Sequence, residues 1–403
     1  MAGLLLLAGL TAGCGIANGA TSVNGTGNIV ICEVAATSGP FAQLGADDEM
    51  GATAWADMVN KSGGILGHKI QLIQENDASD PATTAQLVRK CVTQERANFI
   101  FGPEETSTAS AAIPLANDMH EVLLGWQSGW QGQGITDANL HSYSFPGIGN
   151  VFFADDLATI TQLVVPRHYT RVAVIEDDAP GGIGNAQYVA SLGPKYGFQV
   201  VATETTTPGA TDDTPQALNL LKAHPQIIVL GLIPGPDTIT AIKAIRSQDP
   251  AIPISECSGC ATSNFVAAAG GPAAMKDVYL IGTPANVLTA VQPTRQDAAA
   301  LNDTKAYIAA MKAAGLGSAT DIDEGGEGWD TGRELAAAIR QAHSFSENAV
   351  RDALRHQALV TGGIQCYAWQ RTPSDYGNIT RILSSVITVA PGGSFTVLPN
   401  VGS

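Results

Sequence analysis

Positive charge is what this 403-residue chain has least of. Only 14% of its residues are charged, and 21 Lys and Arg stand against 37 Asp and Glu, a formal net charge of −16. No basic run exceeds the pair Arg89-Lys90. That excludes nucleic acid and anionic membrane surfaces as partners. Long hydrophobic runs are missing as well: the one extended apolar tract, Leu4 to Leu10, is too short to span a bilayer at about 1.5 Å per residue. The signatures of common catalytic sites are absent too. There is no Gly-x-Ser-x-Gly elbow, no Walker A loop and no HExxH, and the seven His are scattered. Gly182-Ile-Gly184 lacks a third Gly, and Glu176-Asp177-Asp178 before it would repel a pyrophosphate. We therefore expect a protein that is not an enzyme and holds no cofactor or metal.

What is present is an Ala/Gly-rich globular sequence, 45% hydrophobic, long enough for two lobes with separate cores. Residues 1–14 (MAGLLLLAGLTAGC) read as an export signal. Thr11-Ala12-Gly13-Cys14 resembles a bacterial lipoprotein box, in which Cys14 becomes the lipidated N-terminus, and 15–27 reads as a flexible tether. Five Cys would then remain, an odd number for an oxidising compartment. Cys257-Ser-Gly-Cys260 suggests a local or Cys366-linked disulfide, with inert thiols or redox or metal chemistry as alternatives. Cys32 lies in a strand-like run and Cys91 in a helical one, so both read as core.

Beyond the tether, apolar strand-like runs alternate with helical stretches. The first series runs through Ile29–Val34, a helix from about Asp47 to Lys61, Lys69–Gln74, a helix from Pro81 to Arg96, Asn98–Phe101, a helix from Thr108 to Met119, and Val122–Leu124. The pattern restarts at Arg171 with RVAVIEDD and continues through helices at Asn185–Tyr196, Thr214–His224 and Asp237–Gln248. Such alternation predicts an α/β protein of two doubly wound, Rossmann-like lobes with parallel sheets. Pro146 and Gly147 suit a crossover, a late helix is expected from Asp330 to His343, and the β-rich tail should finish an existing sheet. The lobes are assigned as 28–146 with 284–361, and 147–283 with 362–403, joined by a hinge of several crossovers. A cleft is expected where the C-terminal strand ends face each other.

Three segments point to a family: Thr37-Ser-Gly-Pro-Phe-Ala-Gln-Leu-Gly45, Asn60-Lys-Ser-Gly-Gly-Ile-Leu-Gly-His68, and Glu75-Asn-Asp-Ala-Ser-Asp-Pro81. In this order the chain resembles the branched-chain amino acid type solute-binding proteins of ABC importers, with the periplasmic binding protein type I fold. The resemblance implies that the loop after the third strand, with Thr106 and Ser107, holds a ligand carboxylate, a role that Ser/Thr hydroxyls and a helix N-terminus suit. It places Ser128 and Gly129 beside the ligand, with Trp126 or Trp130 as a wall. From the second lobe it brings Asp178–Gly182 with Gly181, Ile233–Gly235, and Cys257–Cys260, with Glu327 and Trp329 near the late crossover.

The sequence departs from the amino-acid binders at Ser258, where they place an acidic residue against the ligand ammonium. Glu104, Glu105 or Glu256 are the candidate substitutes, surface solvation being the plainer reading of the first two. An ammonium buried without such a partner costs several kcal/mol. The expectation is therefore a monomeric, lipid-anchored, extracytoplasmic receptor that delivers an amino acid, amide or small carboxylate to an ABC permease by lobe closure. The alternative is a ligand-sensing lipoprotein that signals through a membrane partner.

Overall fold

The structure, a computed structural model, describes residues 27–126, 143–145, 151–178, 182–232, 234–256, 259–282, 298–316, 325–358, 360–361, 363–364, 368–369, 379–381 and 385–398. Strands β1 (Ile29–Ala35), β2 (Ile70–Asn76), β3 (Phe99–Phe101), β4 (Val122–Leu124) and β5 (Ser144–Phe145) form one sheet in the order β2-β1-β3-β4-β5, parallel throughout. The run IVICEVA of β1 is apolar at almost every position because both faces of the strand are covered. Helices α1 (Ala42–Lys61), α2 (Pro81–Thr93) and α3 (Thr106–Met119) connect these strands.

The second sheet holds β6 (Arg171–Asp177), β7 (Gln199–Thr206), β8 (Ile227–Gly231), β9 (Ile254–Glu256) and β10 (Val278–Gly282). Around it lie α4 (Val151–Thr159, continued by the π turn Ile160–Val164), α5 (Asn185–Tyr196), α6 (Thr214–Lys222), α7 (Pro236–Gln248) and α8 (Ser263–Ala269). Then come α9 (Ala298–Ala314), α10 (Gly325–Ala342), α11 (Glu347–Arg355), and strands β11 (Val360–Thr361), β12 (Ala368–Trp369), β13 (Ile379–Arg381), β14 (Ser385–Val389) and β15 (Phe395–Val397). The order is β15-β14-β10-β9-β8-β6-β7, parallel except that β14 runs antiparallel to both β10 and β15. The tail thus finishes the second sheet, as expected, while β11, β12 and β13 make a small antiparallel sheet of their own.

Each large sheet has its own core. Residues of β1 to β5 pack with Tyr307, Met311, Trp329, Leu335, Ile339, Val350 and Leu354. The second sheet's cores include Val386 and Ile387 of β14. The chain therefore leaves the first core after Phe145, returns by Tyr307, and ends on the second sheet.

Glycine sets the closest helix contact. A Cβ on Gly51 of α1 would lie 1.7 Å from the Gly325 carbonyl oxygen, and one on Gly328 would lie 2.0 Å from that of Asp48, so α1 and α10 touch backbone to backbone. Between α1 and β2 the sequence Gly63-Gly64 suits a positive-φ turn, and Gly64 sits at φ +89°, where a Cβ would meet the His68 carbonyl oxygen at 2.0 Å. The start of α2 also follows prediction, with Asp80 Oδ1 accepting from Thr83 N–H at 2.7 Å and Pro81 in the first turn.

Other expectations change. Helix α1 starts five residues before Asp47, with Gly45 in its first turns packed against Ala36 in the loop after β1. Helix α2 stops at Thr93, short of Arg96, which takes positive φ. Helices α8 and α9 and strand β10 are not among the expected elements. Cys32 and Cys91 are buried as expected, and in addition they are joined in a disulfide that ties β1 to α2. Cys260, read as half of a disulfide, is a buried free thiol; Cys257 and Cys366 lie outside the described residues.

Candidate functional site

A parallel sheet offers a binding crevice where neighbouring strands send their connections to opposite faces. In the first sheet that point lies between β1 and β3, in the second between β6 and β8. At the first, the residues after the strands are stitched together by side chains. Glu104, from the turn after β3, accepts the Ala36 N–H after β1 through Oε1 at 3.1 Å. Asn76 Oδ1, at the end of β2, accepts the Thr37 N–H at 3.0 Å, and its Nδ2 donates to Ser38 Oγ at 2.9 Å. Gly102 takes φ +81° because a Cβ there would sit 2.3 Å from the Val34 carbonyl oxygen.

The next residue reverses a simple expectation. Glu105 caps α3: its Oε2 accepts the Ser107 N–H at 2.5 Å and the Thr108 N–H at 3.4 Å, and the Ser107 hydroxyl also donates to it. The amides expected to receive a ligand carboxylate are thus engaged by the chain's own. Glu104 and Glu105 are 3% and 7% exposed, so neither is the solvated surface residue that the plainer reading made it. Burial, and then the charge of Asp77, push the Glu104 carboxyl up to about 8. Its Oε2 has no hydrogen-bond partner among the described residues.

At the second point, Glu176 Oε2 near the end of β6 accepts the Ala186 N–H of α5 at 2.9 Å. Gly231, the last residue of β8, leaves room for Asn185, whose Cγ a Cβ would meet at 2.6 Å. The turn to α7 passes through Gly235 at φ +106°, and Thr262 Oγ1 caps α8 by accepting the Phe265 N–H at 3.0 Å. Glu256 at the end of β9 is 1% exposed and beside Cys260; burial raises that thiol, and the carboxyl's charge and hydrogen bond add to the rise.

Between the first turns of α1 on one side and of α7 and α8 on the other lies a cavity of about 240 Å³. Leu44, Pro234, Pro236, Ile239, Phe265 and Ala268 supply apolar wall; Gln43, Asp47, Thr262 and Asn264 supply polar groups. Gln43 Nε2 donates to Asp47 Oδ2 at 2.8 Å. The lining contains no Lys, Arg or His. This arrangement suits non-covalent capture of a small molecule with both apolar and hydrogen-bonding parts. Among the described residues, no group of three or more His, Cys, Asp or Glu is placed to hold a metal ion.

Of the residues expected to bind ligand, three are described. Thr106 and Ser107 open α3, the first 2% exposed and the second partly exposed. Glu327, 6% exposed, stands in the first turn of α10 beside the buried Trp329. Ser128, Gly129, Trp130, Gly181, Ile233 and Ser258, and the anchor Cys14, lie outside the described residues. Trp126 belongs to the first core, its ring against Gly102. The cavity's wall from α1 and α8 was missed: α1 was begun at Asp47, and α8 went unread although Thr262 ahead of Phe265-Val266 is a cap signal.

Comparisons with known proteins agree with this architecture. A family model described as "Periplasmic binding protein" matches residues 29–378. An "Amino acid binding protein" of Pseudomonas aeruginosa is 24% identical over 262 residues, 64% of this chain and 68% of that one. The Leu/Ile/Val-binding protein BraC3 of Rhizobium johnstonii is 26% identical over 212 residues, 51% of this chain and 54% of that relative, so this match spans about half of its length. Among solved structures, an extracellular ligand-binding receptor from Rhodopseudomonas palustris HaA2 superposes with a TM-score of 0.79 at 20% identity, covering 92% of this chain and 99% of the other.

Proposed function

From the premise that this chain belongs to the periplasmic binding protein family, we propose that it is the extracytoplasmic receptor of an ABC importer, capturing a small polar ligand by closing two lobes around it. The family is one of solute-binding proteins and not of enzymes. The observation that carries the reading is the cavity at the turns where both sheets offer a crevice, walled by α1 from one sheet and by α7 and α8 from the other. A ligand touching both walls stabilises the closed arrangement by its differential affinity for it. The lobes comprise 28–146 with 284–361, and 147–283 with 362–403. Thr106, Ser107, Ser128, Gly129, Trp130, Gly181, Ile233, Ser258 and Glu327 are the proposed contacts, and lipidated Cys14 is the proposed anchor of a monomeric receptor that docks on a permease.

Export is supported by the Cys32–Cys91 disulfide, a bond that persists in oxidising compartments. Among the described residues no helix is long and apolar enough to cross a membrane, which fits attachment through a lipid. The test is a thermal-shift panel of amino acids, amides and carboxylates, followed by solution scattering with whichever binds. A ligand at about 100 times its dissociation constant adds roughly 2.7 kcal/mol of stability. Binding with compaction supports the receptor; binding with no change in radius of gyration counts against lobe closure.

A further inference from the structure

Among the described residues, the Lys and Arg of the βα units in both sheets stand away from the cleft end. The segments after β1, β2, β3, β4, β6, β7, β8 and β9 contain no Lys or Arg at all. The first basic residue after β1 is Lys61, at the far end of α1; after β6 it is Lys195, and after β7 it is Lys222. The same segments and the turns beside them hold Asp47, Asp77, Asp80, Glu104, Glu105, Asp178, Asp213 and Asp237. Helix dipoles alone favour acids at helix starts and bases at helix ends, so this polarity needs no ligand to explain it. Its consequence for a ligand holds all the same: among the described residues, both walls of the crevice present negative field and no fixed cation.

Two further observations set the sign of what binds. The amides at the start of α3, suited to an incoming carboxylate, are engaged by Glu105, and the cavity lining has one charged residue, Asp47, and no base. The wall bearing Asp47 is also linked to the turn after β3. Gly45 packs on Ala36, where a Cβ would come within 2.4 Å of the carbonyl oxygen, and the Ala36 N–H is held by Glu104.

Resting on the receptor reading, we infer that the cleft selects a cationic amine or amidine on a small apolar body, with Asp47 as its counter-charge, and rejects molecules that bind through their own carboxylate. Leu44, Ile239 and Phe265 cover the apolar body, and Asp47 and Gln43 receive the donors. The carboxylate of Glu105 takes the place at α3 that the carboxylate of a free amino acid would need.

Three probes with the same branched apolar end test the sign: leucinamide (cation), leucine (zwitterion) and isovalerate (anion), titrated calorimetrically into the full chain at low and at physiological salt, with isoamylamine, agmatine and choline beside them. The expected result is that a cation binds at least tenfold more tightly than leucine, that isovalerate does not bind, and that salt weakens the cation's affinity. Asp47→Asn should cost the cation at least tenfold, and Glu105→Ala should let isovalerate bind. Leucine or isovalerate binding as tightly as any cation overturns the inference and leaves the receptor reading standing. Silence of the whole cationic set overturns it too, and silence of every probe, with no compaction in scattering, overturns both.

Discussion

Single residues carry both the clearest sequence signals and the least legible ones. The Gly63-Gly64 turn and the Asp80-Pro81 helix start were legible because the conformation each demands admits few residue types. Glu104 and Glu105 were not, because an acidic pair after a strand reads equally as solvated surface; only the fold shows that they are buried. Burial has a consequence for pH. Glu104 is raised to about 8 and Glu121 to about 9, both chiefly by burial, and Glu33 and Asp156 rise well above their ordinary values for the same first cause. An unfolded glutamate ionises near 4.5 while the folded one keeps its proton, so the folded state binds more protons and loses stability as pH rises between those values. Each such group contributes up to about 1.4 kcal/mol per pH unit. Denaturant unfolding should therefore give a lower midpoint at pH 8 than at pH 5.5. Glu104→Gln, which keeps an oxygen for the Ala36 N–H, should flatten that dependence. A midpoint that rises with pH would refute the assignment.

Among the elements, the central strands and their helices were legible and the margins were not. Runs such as RVAVIED and the Asn185–Tyr196 stretch have one period and clear punctuation, and they form as read. The Ala-rich stretches of α8 and α9 have no contrast between faces, so periodicity carries no signal there. The Cys32–Cys91 bond was illegible for another reason: its ends are 59 residues apart, one on a strand and one on a helix, and only the β1-α1-β2-α2 winding brings them together. That separation makes the bond valuable, because it restricts the unfolded chain by about 4 kcal/mol in the loop-closure account. Thermal unfolding with and without reductant should show the reduced protein melting lower, and Cys32→Ala with Cys91→Ala should match the reduced wild type. The α1–α10 contact makes a second element-level prediction. Gly51→Ala forces two backbones apart and should destabilise by about 1–3 kcal/mol or more, whereas Gly184→Ala, with no atom within 4 Å of its Cβ, should change stability little.

For the whole molecule, two sheets with their own cores share one cleft, and that cleft is where sequence reading gave location but not character. Strand order fixes where the crevice lies; the side chains that set its charge sit on turns and first helical turns, whose direction no periodicity reveals. The proposed closure makes a test that involves both sheets at once. Asn264 is exposed at the lip of the cavity, on α8, facing the space that α1 walls on the other side. An exposed helical position tolerates substitution within about 0.5 kcal/mol, so Asn264→Arg should fold as the wild type does. Its guanidinium would reach into a cavity whose described lining has no other fixed cation, occupy the field that Asp47 and its neighbours produce, and repel a cationic ligand. Asn264→Glu adds a similar bulk of opposite sign. If charge governs capture, the Arg variant loses binding by at least tenfold and keeps its unliganded radius of gyration on addition of the cationic probe, while the Glu variant binds and compacts. If both lose binding equally, bulk at the lip governs and charge does not; if neither does, the ligand does not sit between α1 and α8.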